Sequence, residues 1–148
     1  MATCEGFQKL DIYEAFETSE QLTKDGRWID LEFGGNVVCA FRVRSASPDL
    51  NAELRKAMAD EAVASMGTLP GLTAAVADKE LENRLFAAAV VTDWKDVTDS
   101  EGEPLACTPE NIVTVFTDLP LLAQRVKSEA YKWTNFRSVY EDKALGNC

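Results

Sequence analysis

The sequence predicts an α+β fold, an N-terminal β-hairpin packed on a small bundle of about four helices. Three observations carry this. Apolar and polar residues alternate from Arg27 to Phe33, and Val37–Arg44 follows as a second strand. Gly34-Gly35-Asn36 sits between those runs and suits a tight hairpin turn. After Ser47 the apolar residues recur at steps of three and four, the period of helices with one buried face.

The elements follow in order. Residues 1–24 are polar apart from Leu10, Ile12, Tyr13 and Phe16, and read as an acidic arm or short helix that docks on something else. Asp25-Gly26 reads as a turn. In the hairpin (27–44), Trp28, Asp30 and Glu32 share one face, and Ile29, Leu31 and Phe33 share the other. A hairpin alone is marginal in water, so helices must cover its apolar face. Ser47-Pro48-Asp49 supplies a cap, a first-turn proline and an acid near the positive end of a helix dipole. A helix over about 48–66 follows, with a stripe at Leu50, Leu54, Ala57, Met58, Ala62 and Met66, and a stop at Gly67. Leu69-Pro70-Gly71 is a linker, and a second helix spans about 73–93. Asp93–Cys107 is an acidic loop turning at Glu101-Gly102. Thr108-Pro109-Glu110 opens a short helix over about 109–117. The last helix, about 119–140, carries Leu119, Leu122, Val126, Ala130, Trp133, Phe136 and Tyr140. Residues 25–141 thus form one globular domain, followed by a tail at 142–148.

Composition limits the chemistry. The 148 residues hold 46% hydrophobic and 27% charged residues, the mix of a soluble globular domain. The net charge of −10 argues against nucleic acid and against anionic membranes as partners. No apolar run is long enough to span a bilayer. Nothing at the N-terminus resembles a secretory signal, so Cys4, Cys39, Cys107 and Cys148 are expected as reduced thiols in a cytosol. The chain has no His, which removes the usual general base, zinc ligand and partner of a nucleophilic Ser or Cys.

Four constellations could carry function. The acidic loop offers Asp93, Asp96, Asp99, Glu101 and Glu103, but neither Asp93 nor Asp96 starts an EF-hand spacing, and Glu101 stands where the glycine belongs. A solvated acidic turn is expected, with no metal. Carboxylate pairs are unavoidable among 25 acids, and none is marked as buried. Gly34-Gly35 lacks the GK[ST] of a phosphate loop, and Cys39 reads as a small core residue. Trp28 with Arg42 and Arg44 reads either as cross-strand packing or as a partner-binding surface. The last helix carries Tyr131, Trp133, Phe136 and Arg137; the aromatic stripe reads as core, with Tyr131 off it. Residues 1–36 carry a net −5, residues 93–118 a net −6 and residues 119–148 a net +2. A basic, aromatic helix could therefore pair with the acidic front of a neighbouring copy, head to tail, as a ring or open spiral. Neither an enzyme nor a cofactor is expected.

These residues carry a resemblance. Ala87–Arg137 resembles the tail assembly chaperones of long-tailed, non-contractile bacteriophages. The helix ends in AAAVVTDW with Trp94. The acidic turn DSEGEPLA follows, with Asp99, Gly102, Pro104 and Leu105. Then Thr108-Pro109-Glu110-Asn111 opens a short helix, and a longer one ends in Phe136-Arg137. The front half is similar as well: an acidic lead, Gly26-x-Trp28, a basic second strand (FRVRSA) and a helix entered near Asn51. The order and spacing carry the match, from roughly Asp11 to Arg137. Where similar proteins have an aromatic before T-P-E-N, this chain has Ala106-Cys107. The resemblance implies a non-enzymatic protein of the host cytoplasm. It would bind the tape measure protein, keep it soluble, help recruit the major tail tube protein, and be absent from the mature virion. Many such proteins also exist as a longer frameshifted product. The rival readings are a tail or head–tail junction protein retained in the virion, and a small acidic inhibitor or regulator of a host factor.

Overall fold

The structure, a computed structural model, describes residues 11–66 and 74–138. It is α+β, with the hairpin at the N-terminal side and helices behind it. The Gly67 stop, the Leu69-Pro70-Gly71 linker, Tyr140, Cys4, Cys148 and the C-terminal tail lie outside the described residues. No helix among the described residues is long and apolar enough to cross a membrane.

In the described part of the front segment, which reads as an arm or short helix, two short helices form. In α1 (Ile12–Phe16), Asp11 accepts the N–H of Glu14 as a cap. In α2 (Glu20–Asp25), Ser19 caps through the N–H of Leu22, and Leu22 is fully buried. Through Leu22, α2 is therefore part of the core. Gly26 follows with φ 110, the positive angle that starts the hairpin.

Strands β1 (Arg27–Phe33) and β2 (Asn36–Val43) pair antiparallel through the Gly34-Gly35 turn. Both turn glycines have positive φ, 63 and 84, as a primed two-residue turn requires. A bulge falls at Leu31/Glu32. Ile29, Leu31, Cys39, Phe41 and Val43 face the core, as the alternation predicts. Phe33 does not, because it lies past the bulge and beyond everything that covers the sheet.

The helices give the main corrections. α3 (Ala52–Met66) starts later than Pro48, because the segment from Ser47 to Leu50 forms a turn. Asn51 does the capping: its Oδ1 accepts from Leu54 N–H, and its Nδ2 donates to the Thr23 carbonyl. α4 (Ala74–Leu85) widens into a π-helical turn at Phe86–Val90 and then becomes a strand, β3 (Val91–Lys95). The helix expected to reach 93 thus stops at Val90. Arg44 holds this junction, its N–H donating to Val90 O at 3.0 Å and its Nη1 to Ala89 O at 3.4 Å. β3 pairs with residues 40–43 of β2, giving the sheet order β1-β2-β3.

α5 (Pro109–Asp118) is capped by Thr108, whose Oγ1 accepts from Asn111 N–H. α6 (Pro120–Tyr131) ends nine residues before the expected 140. A 3₁₀ turn, Trp133–Phe136, takes over. Asn135 makes the break: its Nδ2 donates to the Glu129 carbonyl and carboxylate, at 2.9 and 2.6 Å. Its own carbonyl and side-chain oxygens accept from Arg27 Nη1 at 2.9 and 3.2 Å. The chain then turns Phe136 into the core and ties itself to the front segment, with Ser19 N–H donating to Phe136 O and Ser138 N–H to Glu17 O.

Candidate interaction surfaces

The inner face of the sheet and the helices close over Phe41, Phe86, Phe116 and Phe136, all buried. Phe41 meets Trp94 edge-on at 5.6 Å and stacks on Phe116 at 6.2 Å. What remains for partners is surface, and four places on the described part of it stand out.

The outer sheet face is a charged lattice. Trp28, Arg42 and Asp93 form one cross-strand row, and Asp30, Ala40 and Lys95 form the next. Lys95 Nζ covers the Trp28 ring at 4.1 Å. Trp28 and Arg42 are thus brought together but largely occupied by neighbours. Arg44 holds the helix-to-strand junction.

The hairpin tip is different. Every residue from 32 to 38 is exposed, including Phe33 at 84%, Val37 at 54% and Val38 at 57%. β3 reaches only as far as Ala40, so the tip stands beyond it as a two-stranded arm.

A third surface joins the two ends of the domain. Phe16 of α1 stacks on Trp133 at 5.3 Å with an interplanar angle of 12°. Ile12, Tyr13 and Phe16 are all more than two-thirds exposed. Trp133 therefore lies beside an apolar front cluster, whereas Phe136 is fully buried and belongs to the core. Arg137 bridges to Thr18 by backbone pairing.

The fourth is a groove of about 530 Å³ between α4 and α6. Phe116 and Lys127 form its floor, and Leu121 and Tyr131 stand on its α6 side. Lys127 Nζ bonds Asn83 Oδ1 at 2.6 Å and Glu82 at 2.8 Å. It also lies 5.7 Å from the ring centres of both Phe86 and Phe116. Tyr131 packs edge-on against Phe86, and burial, followed by the nearby Glu82 charge, pushes its hydroxyl pKa up.

The acidic loop has a structural role. Asp99 Oδ1 accepts the N–H groups of Glu101 and Glu103, and Asn111 Nδ2 donates to Ala106 O. Among the described residues, no group of three or more His, Cys, Asp or Glu is placed to hold a metal ion. The sequence singled out Trp28, Arg42, Arg44, Tyr131, Trp133, Phe136 and Arg137, and the structure distributes them over several places. Sequence reasoning did not pick out Phe33, Val37, Val38 or Leu121: Phe33 reads as a core position on alternation, Val37 and Val38 as ordinary strand residues, and Leu121 stands off the stripe of the last helix as a single apolar residue.

A family model, the YdaY prophage protein, matches residues 41–147. The chain belongs to that family. It is a phage-derived protein. The match takes in the last three residues of β2, then β3, the four longer helices and the groove; α1, α2, β1 and the hairpin tip precede it. Comparison with curated proteins and with solved structures gave no match.

Proposed function

We propose that this phage-derived chain is a non-enzymatic tail assembly chaperone. It binds the tape measure protein, holds that protein's long amphipathic helix in solution, and helps bring tail tube subunits to it in the host cytoplasm. One observation carries the reading: a protein of net charge −10 displays apolar side chains in separate exposed clusters, with Ile12, Tyr13 and Phe16 beside Trp133 the most aromatic of them. Monomeric soluble proteins rarely leave large apolar patches open without a partner. The acidic remainder of the surface keeps a complex with a greasy client soluble. An amphipathic helix would lay its apolar face along the Phe16–Trp133 cluster.

Co-purification tests this. The tagged chain is expressed with the tape measure protein of the same phage, and the wild type is compared with a Tyr13→Ser, Phe16→Ser double variant. Capture by the wild type and at least tenfold less by the variant support the proposal. No capture by a folded wild-type chain, or the chain as a stoichiometric part of purified virions, would overturn it.

A further inference from the structure

The hairpin tip and the α4–α6 groove are unlike each other and complementary. The arm beyond Leu31 and Cys39 carries Phe33, Val37 and Val38 into solvent. Its one charge is acidic, the exposed Glu32, and no Lys or Arg occurs from Ile29 to Phe41. Glycines at 34 and 35 make it slender, with nothing within 4 Å of where their Cβ atoms would be. The groove has the opposite character. Leu121, 80% exposed, and Pro120 give it an apolar lip, and Phe116 and Tyr131 line it further in. Lys79 and Lys127 line it against a single acid, Glu82, and Lys79 has no ion pair among the described residues. At about 530 Å³ it falls within the roughly 300–1,000 Å³ typical of clefts that take a ligand.

The arm cannot enter the groove of its own chain. The hairpin base meets α6 where Ala46 N–H donates to Ala130 O at 2.9 Å. Phe33 stands six strand steps away from Arg27, roughly 20 Å at about 3.3 Å per residue, and the paired strands hold it there. We infer that the occupant is a second copy: the tip of one chain, led by Phe33, docks between α4 and α6 of the next, with Glu32 facing Lys79. Because the two patches differ, the contact is heterologous, and repetition closes a ring or extends a filament. This assigns the self-association to surfaces other than the acidic front, and it requires no client.

Two variants of the full chain test it by sedimentation velocity. Phe33→Asp spoils the tip and keeps the groove; Leu121→Asp does the reverse. Both positions are at least 80% exposed, so circular dichroism and melting are expected to match wild type. Should either aspartate disturb folding, Phe33→Ser and Leu121→Ser replace them. The expected results are concentration-dependent association of the wild type and at least tenfold weaker association of each variant alone. An equimolar mixture should form a heterodimer and nothing larger, since only one tip–groove pair remains intact. A strictly monomeric wild type, association of a single variant at wild-type strength, or a mixture that stays monomeric would overturn the assignment.

Discussion

Trp94 donates its indole N–H to the backbone carbonyl of Leu105 at 2.8 Å. The bond pins the far side of the acidic loop onto the strand that sequence periodicity merged into a helix. Trp94 also packs edge-on against Phe41, so one side chain joins loop, sheet and core. The Trp94→Phe substitution keeps an aromatic ring and removes the donor, leaving the Leu105 oxygen without it. The expected loss is about 2 kcal/mol, a fall in Tm on the order of 5 °C by calorimetry. An unchanged Tm would mean that the loop is held by other contacts.

Gly26 is the second test. At φ 110 its position is strained for any side chain, and a Cβ there would lie 3.0 Å from Arg42 Cγ and 3.3 Å from both Thr92 Oγ1 and Val43 O. Gly102 has a comparable φ of 84 but open space around it. Gly26→Ala is therefore expected to cost about 2 kcal/mol or more, and Gly102→Ala about 1 kcal/mol. Urea titrations of the two variants give the comparison; equal losses would contradict the crowding at the hairpin entrance.

Phe136 separates core from surface. Its ring is fully buried, so Phe136→Ala is expected to cost about 3–5 kcal/mol, a large share of the 5–15 kcal/mol of a typical domain. Leu121→Ser, on the exposed lip of the groove, is expected to stay within about 0.5 kcal/mol of wild type. The reverse order, measured by urea unfolding, would place Phe136 at an interface.

The cysteines give a pH prediction. Burial pushes the Cys39 and Cys107 thiols up, with Asp96 adding to the first and Asp93 to the second. A raised thiol pKa means that the native state holds the proton more tightly than the unfolded chain. The stabilisation is then full below the unfolded value, about 8.5, and declines as pH rises past it through the folded value. Stability should thus be level in this respect from pH 6 to 8 and fall above about pH 9. Alkylation at pH 7.5, mapped by mass spectrometry, should label Cys39 more slowly than Cys107, and both more slowly than after denaturation. Rapid native labelling of Cys39 would contradict its burial.

The hairpin was legible because two signals coincide there, alternation along the first strand and a Gly-Gly turn. The start of α5 was legible because Thr108, Pro109 and Glu110 each favour a helix N-terminus for a separate reason. The failures are equally physical. From Phe86 to Trp94 no glycine or proline separates helix from strand, and an apolar run suits both until Arg44 takes the freed carbonyls. A 3₁₀ turn aligns residues three apart much as a helix does, so Trp133 and Phe136 extend the stripe of α6 after the helix has ended. Phe33 continues the alternation of its strand, and only the short reach of β3 shows it to be open; Leu121 lies off the stripe of α6, and only the groove beside it gives that exposure a context. Exposure of this kind depends on what lies opposite, which periodicity along one segment does not encode.

The most direct test of the chaperone reading is the soluble fraction of the tape measure protein when expressed alone, with this chain, and with the Tyr13→Ser, Phe16→Ser variant. The reading predicts a mostly insoluble client alone, a mostly soluble one with the wild-type chain, and little rescue by the variant. A client whose solubility is the same in all three would contradict it.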